Sequence, residues 1–133
     1  MITALDTSVL LDVLVNDPKH ADRSEALLFQ VYQQGSLIIS LAVSPSWCRR
    51  LEIVTNSMAG CGRSAFKSCR FTVDHAYTSG VAHVAYRQAG GKRQRILADF
   101  LIGAHAFHEA DRLLTRDRGF YRRYFSGLTI LPA

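Results

Sequence analysis

Three aspartates in this chain of 133 residues stand where chemistry is easily built. Asp6 follows the apolar run Ile2 to Leu5, Asp117 follows Leu113-Leu114-Thr115, and Asp99 lies near the start of the apolar stretch Ile96 to Ala110. Carboxylates gathered in one partly buried pocket repel each other, and without a counter-charge their pKa values rise and stability is lost. A divalent cation removes that cost. Mg²⁺ and Mn²⁺ prefer hard oxygen ligands, keep several waters and let a substrate phosphate complete the shell. Such an ion polarises a phosphoryl oxygen and makes a bound water nucleophilic near neutral pH, so three convergent aspartates suggest phosphodiester hydrolysis. Hydroxyls at Thr7, Ser8 and Thr115 are candidates to hold those carboxylates or metal-bound waters in place. The competing expectation for each Asp alone is an ordinary cap or turn residue, the commoner fate after a strand. Asp12, Asp74 and Asp111 are expected to be such caps or surface charges. Joint placement is what separates Asp6, Asp99 and Asp117 from them.

The elements between must supply that placement. Ile2 to Leu5 predicts a buried strand, Asp6-Thr7-Ser8 a polar turn, and Val9, Leu10, Leu11, Val13 and Leu14 a short helix that Asn16-Asp17-Pro18 ends. A second helix is predicted from near Ala21, with Ala26, Leu27, Val31 and Tyr32 inward and Gly35 as its stop. Ser36 to Val43 is nearly continuous in apolar and β-branched residues, the pattern of a parallel strand covered on both faces. From Asp74 as N-cap, Tyr77, Val81, Val84, Ala85 and Gln88 recur at helical spacing until Gly90-Gly91. In the Asp99 segment, Phe100, Leu101, Ala104 and Phe107 form one apolar stripe. Short strands are predicted at Leu113-Leu114-Thr115 and Leu128 to Leu131.

Strands alternating with helices predict one domain, residues 1–133, of three-layer α/β/α class with a central, mostly parallel sheet. In such sheets ligands bind at the carboxyl ends of the strands, near a topological switch point, where Asp6 and Asp117 should meet. The 48% hydrophobic content is enough for one core. No run approaches the ~18 apolar residues of a membrane span, and the start carries no basic leader, so a cytoplasmic location is expected. Cys48, Cys61 and Cys69 form no CxxC pair and are expected to be free thiols.

The net charge is +5 and unevenly placed. Arg49, Arg50, Arg63, Lys67 and Arg70 face Glu52 alone within residues 44–73. A second basic group, Arg112, Arg116, Arg118, Arg122 and Arg123, is interleaved with Phe120, Tyr121, Tyr124 and Phe125. It is a candidate contact for a phosphate backbone, or else a solvated face whose aromatics belong to the core. Other chemistries find less support. A Ser/His/Asp triad lacks a GxSxG elbow. Gly90-Gly91-Lys92 is explained as a helix stop, and His105 and His108 are expected on a polar helix face. A receiver-type phosphoacceptor pocket would want a lysine after a late strand, and no Lys occurs after residue 92.

Leu5-Asp6-Thr7-Ser8-Val9-Leu10, Ile96 to Ala106 with Asp99 as its fourth residue, and Leu113-Leu114-Thr115-Arg116-Asp117-Arg118-Gly119-Phe120-Tyr121 resemble the PIN-domain family, above all VapC-type toxins of toxin–antitoxin pairs. The likeness covers roughly residues 1–43 and 74–133. It implies a Mg²⁺- or Mn²⁺-dependent endoribonuclease acting on transfer or ribosomal RNA. It also implies a homodimer, held inactive by a cognate antitoxin that inserts into the acidic groove. Asp6, Asp99 and Asp117 would be the metal-binding and catalytic residues, and Arg116 and Arg118 candidate RNA contacts. The family also places a Glu just after the second strand, where this chain has Ser46. Glu52 would lie about 120° away around a helix. Residues 44–73, with all three cysteines and the one Trp, depart from the family pattern. We hypothesise that the stretch is read out of frame between two compensating indels, the bland alternative being divergence. Absence of a suitably placed Glu from the other frames of the coding DNA would refute the frame shift. The sheet is expected to lie outside this stretch. Loss of the Glu makes a catalytically impaired relative, still binding antitoxin or RNA, the alternative expectation.

Overall fold

The computed structural model describes residues 1–40, 66–68, 71–92 and 97–133, with the backbone alone considered for 66–68. Its elements in chain order are β1 (Ile2–Leu5), α1 (Thr7–Leu14), α2 (Ala21–Gln33), β2 (Ser36–Ile39), β3 (Phe66–Ser68), α3 (Val73–Gln88), α4 (Leu97–Glu109), β4 (Arg112–Thr115), α5 (Arg118–Tyr124) and β5 (Thr129–Pro132). All strand pairings are parallel, and the sheet order is β3-β2-β1-β4-β5. The chain therefore runs outward from β1 through β2 to β3, then returns to build β4 and β5 on the other side of β1. The switch point lies between β1 and β4. Asp6 N–H donates to the Leu114 carbonyl at 3.0 Å, which carries that ladder one residue past the end of β1.

Alternation along the strands sorts side chains into two cores, as a sheet covered on both faces requires. Ala4, Ile38, Leu113 and Ile130 join Phe100, Ala104, Phe120, Tyr121 and Phe125 on one face. Leu5, Leu37, Ile39 and Leu114 join Val9, Leu10, Leu28 and Val31 on the other. The three-layer α/β/α class expected from the sequence is thus what the chain adopts. Gly35 makes the turn from α2 into β2 because a Cβ there would stand 1.9 Å from the Met1 carbonyl oxygen.

Several local expectations shift. Helix α2 buries Ala21, Ser24, Leu28 and Val31, while Ala26 is exposed and Leu27 half-buried. The cap of α3 is Thr72 rather than Asp74: Thr72 and His75 form a reciprocal capping box, and Asp74 sits exposed in the first turn. The inward face of α3 carries His75, Ser79 and Ala82, whereas Tyr77, Val81 and Val84 are 74%, 53% and 52% exposed. Helical spacing finds a stripe but not its direction. Here the small and polar stripe lies against α4, where His75 meets His105 and Tyr86 meets Phe100 edge-on. In α4, Phe100 and Ala104 are buried as expected, Leu101 is half-buried and Phe107 is exposed. The last strand is displaced by one residue, to Thr129–Pro132. Strand β3 falls inside residues 44–73, so the sheet extends into the stretch expected to lie outside it. Ser46, Glu52, the three cysteines and the C-terminal part of the predicted Ser36 to Val43 strand lie outside the described residues. No helix among the described residues is long and apolar enough to cross a membrane.

Candidate active site

At the carboxyl ends of β1 and β4 a cleft of about 330 Å³ is lined by Asp6, Thr7, Ser8, Leu11, Ala98, Asp99, Arg116, Asp117 and Tyr121. The three predicted aspartates therefore meet. Asp6 ends β1, Asp99 comes from the first turn of α4, and Asp117 lies two residues beyond β4.

Asp6 is 4% exposed and its carboxylate is surrounded by hydroxyls. Oδ2 accepts from Ser8 Oγ at 2.8 Å and Thr115 Oγ1 at 2.5 Å, and Oδ1 accepts from Tyr121 OH at 3.3 Å. Although Asp6 occupies the N-cap position of α1, its side chain makes no capping bond. Its carboxylate is committed to the cleft, against the expectation for a lone Asp after a strand. Thr115 is fully buried, and its Oγ1 also accepts from Asp117 N–H at 3.0 Å, so one hydroxyl ties two of the acids. Asp117 is half-buried and caps α5, its Oδ1 accepting from Phe120 N–H at 3.3 Å. Asp99 is half-buried and lines the cleft from α4. Thr7 lines the cleft at the first turn of α1.

Two residues of this site were hidden in the sequence. Of the two expectations for the aromatics among the late arginines, the core one holds for Phe120, Tyr121 and Phe125; what it did not foresee is that Tyr121, 0% exposed, donates to Asp6. Its helical offset of four from the cap Asp117 was the available signal, since that spacing puts both on one face. Asp12, expected as a cap or surface charge, is 2% exposed. Its Oδ2 accepts from Ser24 Oγ at 2.8 Å, and its Oδ1 stands 3.2 Å from Arg116 Nη2. Of the two predicted RNA contacts, Arg116 lines the cleft and Arg118 lies exposed on the first turn of α5, outside the lining. Asp111 is exposed as expected and accepts from Ile2 N–H at 2.6 Å.

The donor set is chemically suited to a hard divalent cation: carboxylate oxygens backed by hydroxyls, with no thiolate or imidazole among the described residues that line the cleft. Among the described residues no group of three or more His, Cys, Asp or Glu side chains is spaced to close on one ion. An ion here would draw much of its shell from water and substrate oxygens, as Mg²⁺ characteristically does.

No protein-family model matches the sequence, and no curated protein matches it. Solved structures are similar across the whole chain. One is the crystal structure of VapBC2 from Rickettsia felis bound to a DNA fragment from their promoter, with a TM-score of 0.71 and 19% identity over 100% of this chain and 99% of that one. Another is VapBC-1 from nontypeable Haemophilus influenzae, with a TM-score of 0.66 and 15% identity over 99% of this chain and 98% of that one. At these identities the likeness is one of fold: the chain has the PIN-like three-layer architecture shared with these VapBC structures, and its acidic cleft sits at the switch point of that sheet.

Proposed function

We propose that this chain is a divalent-metal-dependent endoribonuclease, the toxin of a toxin–antitoxin pair, with transfer or ribosomal RNA as substrate. The observation that carries this reading is the convergence of Asp6, Asp99 and Asp117 on one cleft at the β1–β4 switch point. Bound Mg²⁺ or Mn²⁺ would supply Lewis-acid polarisation of the phosphoryl oxygen and a nucleophilic water. The protein's own part is orientation. Ser8, Thr115 and Tyr121 hold the Asp6 carboxylate at the cleft, Thr115 fixes the start of the turn that carries Asp117, and α4 adds Asp99 to the lining. Arg116 at the rim offers positive charge to the RNA backbone. The similar structures being of VapBC assemblies favours an antitoxin as protein partner. A homodimer in the cytoplasm completes the reading.

A second reading is favoured by the spacing of the acids and by Ser46 standing where the resembled family has Glu: an impaired relative that binds antitoxin or RNA through the same cleft without efficient cleavage. An RNA cleavage assay with Mg²⁺ or Mn²⁺ on the wild type, Asp6→Asn and Ser46→Glu separates the two. Cleavage by the wild type that disappears in Asp6→Asn is expected of the enzyme. Cleavage by Ser46→Glu alone would replace that reading with the impaired one.

A further inference from the structure

Asp12 and Arg116 form an ion pair whose two ends differ in exposure, 2% for the aspartate side chain and 37% for the arginine. The aspartate end is anchored. Asp12 lies on α1, Ser24 on the neighbouring α2 holds its Oδ2 at 2.8 Å, and Val9 and Leu28 of the same two helices are fully buried. A buried carboxylate is costly without such partners; here Oδ2 accepts a hydrogen bond and Oδ1 lies beside the Arg116 charge. The arginine end is the active one. A guanidinium carries five donors in a rigid fork, so the contact of Nη2 with Asp12 leaves others for a ligand on a side chain that is partly exposed. Among the described residues lining the acidic cleft, Arg116 is the one cation.

We propose that Asp12 is a positioning residue: held by Ser24, it fixes the Arg116 guanidinium at the rim of the acidic cleft, where its remaining donors take a phosphate of single-stranded RNA. This rests on reading the cleft as an RNA site. The fixed guanidinium meets the phosphate with fewer rotamers to lose and sets the strand's position relative to Asp6, Asp99 and Asp117. A purely structural ion pair makes the opposite prediction for one variant. Asp12→Asn removes a negative charge beside the cleft, which by bulk electrostatics strengthens binding of a polyanion. Loss of positioning weakens it.

The test is fluorescence anisotropy of a labelled single-stranded RNA, with Ca²⁺ in place of Mg²⁺ so that binding is read without turnover, over a series of salt concentrations. Arg116→Gln is expected to weaken binding about tenfold, the loss of one charge-assisted contact. It should also flatten the slope of log affinity against log salt by about 0.7, the release from one phosphate of a single strand. Asp12→Asn should weaken binding in the same direction and add little on top of Arg116→Gln. Tighter or unchanged binding by Asp12→Asn, or an unaltered salt slope in Arg116→Gln, overturns the proposal. If circular dichroism shows Asp12→Asn unfolded, Ser24→Ala carries the test, since it keeps every charge. Weaker RNA binding then supports positioning, and unchanged binding overturns it. A wild type that binds this RNA but cuts neither transfer nor ribosomal RNA with Mg²⁺ overturns the hydrolytic reading and leaves the Arg116 comparison standing. A wild type that binds no RNA overturns both.

Discussion

Thr115 shows how much of the cleft hangs on single hydroxyls. It donates to Asp6 Oδ2 and accepts from Asp117 N–H while fully buried, so removing the oxygen leaves a donor and an acceptor of the cleft without it. Thr115→Val, which keeps the shape, is expected to lower unfolding stability by about 1–3 kcal/mol, the usual cost of stranding buried polar groups, as read in a urea titration. Tyr121→Phe removes the longer, 3.3 Å bond to Asp6 and is expected to cost less, about 0.5–1.5 kcal/mol. Equal losses in the two variants would mean that the hydroxyls around Asp6 are interchangeable, contrary to the geometry.

Helices α3 and α4 meet through histidines as well as apolar side chains. His75 is fully buried, and its Nδ1 accepts from Thr72 N–H at 2.9 Å, which places the proton of the neutral ring on Nε2. That nitrogen stands 3.1 Å from Glu109 Oε1 without hydrogen-bond alignment. The His105 ring lies 5.5 Å from that of His75, and His105 Nε2 is buried with no hydrogen-bond partner among the described residues. Burial holds the His105 pKa below the ordinary 6.5, nearby His75 lowers it further, and Glu109 opposes the shift. Below 6.5 the unfolded chain therefore takes up a proton that the folded chain refuses. Stability from this group is complete above 6.5 and is lost as pH falls toward the lowered folded value. The urea midpoint is expected to drop between about pH 7.5 and about pH 5.5, with a shallower drop in His105→Gln. A slope identical in the variant would assign the acid sensitivity to other groups. Sequence spacing put His105 on a polar helix face; it is inside because the neighbouring α3 brings His75 rather than water to that side.

At the scale of the whole molecule, the segment after α5 closes the core on one face of the sheet. Phe125, just past α5, packs directly on Gly103 of α4, where a Cβ would meet its ring at 2.3 Å. Phe125 is 3% exposed among Phe120, Tyr121 and Leu128, so its ring has little room to yield. Gly103→Ala is expected to destabilise by about 1–3 kcal/mol and lower the melting temperature by several degrees, measured by thermal unfolding. An unchanged melting temperature would show that the α4–α5 contact is looser than its geometry.

Local sequence determined the strand-turn-helix at Asp6, the short strand before Asp117 and the α4 helix that begins near Asp99. Each is written in contiguous apolar runs, breakers and caps that act over a few residues. Parallel-sheet logic then carried Asp6 and Asp117 to one edge, and the cleft contains both together with Asp99. Tertiary structure alone decided which stripe of α3 faces inward, that Asp12 is buried against Ser24 and Arg116, and that Tyr121 serves Asp6 from the core. These contacts join residues far apart in the chain, and a residue's type and spacing do not reveal which neighbour will cover it. The three aspartates were legible because two strand ends and one helix start fix their place; the hydroxyls and the ion pair that orient the cleft were not, because packing between elements fixes theirs.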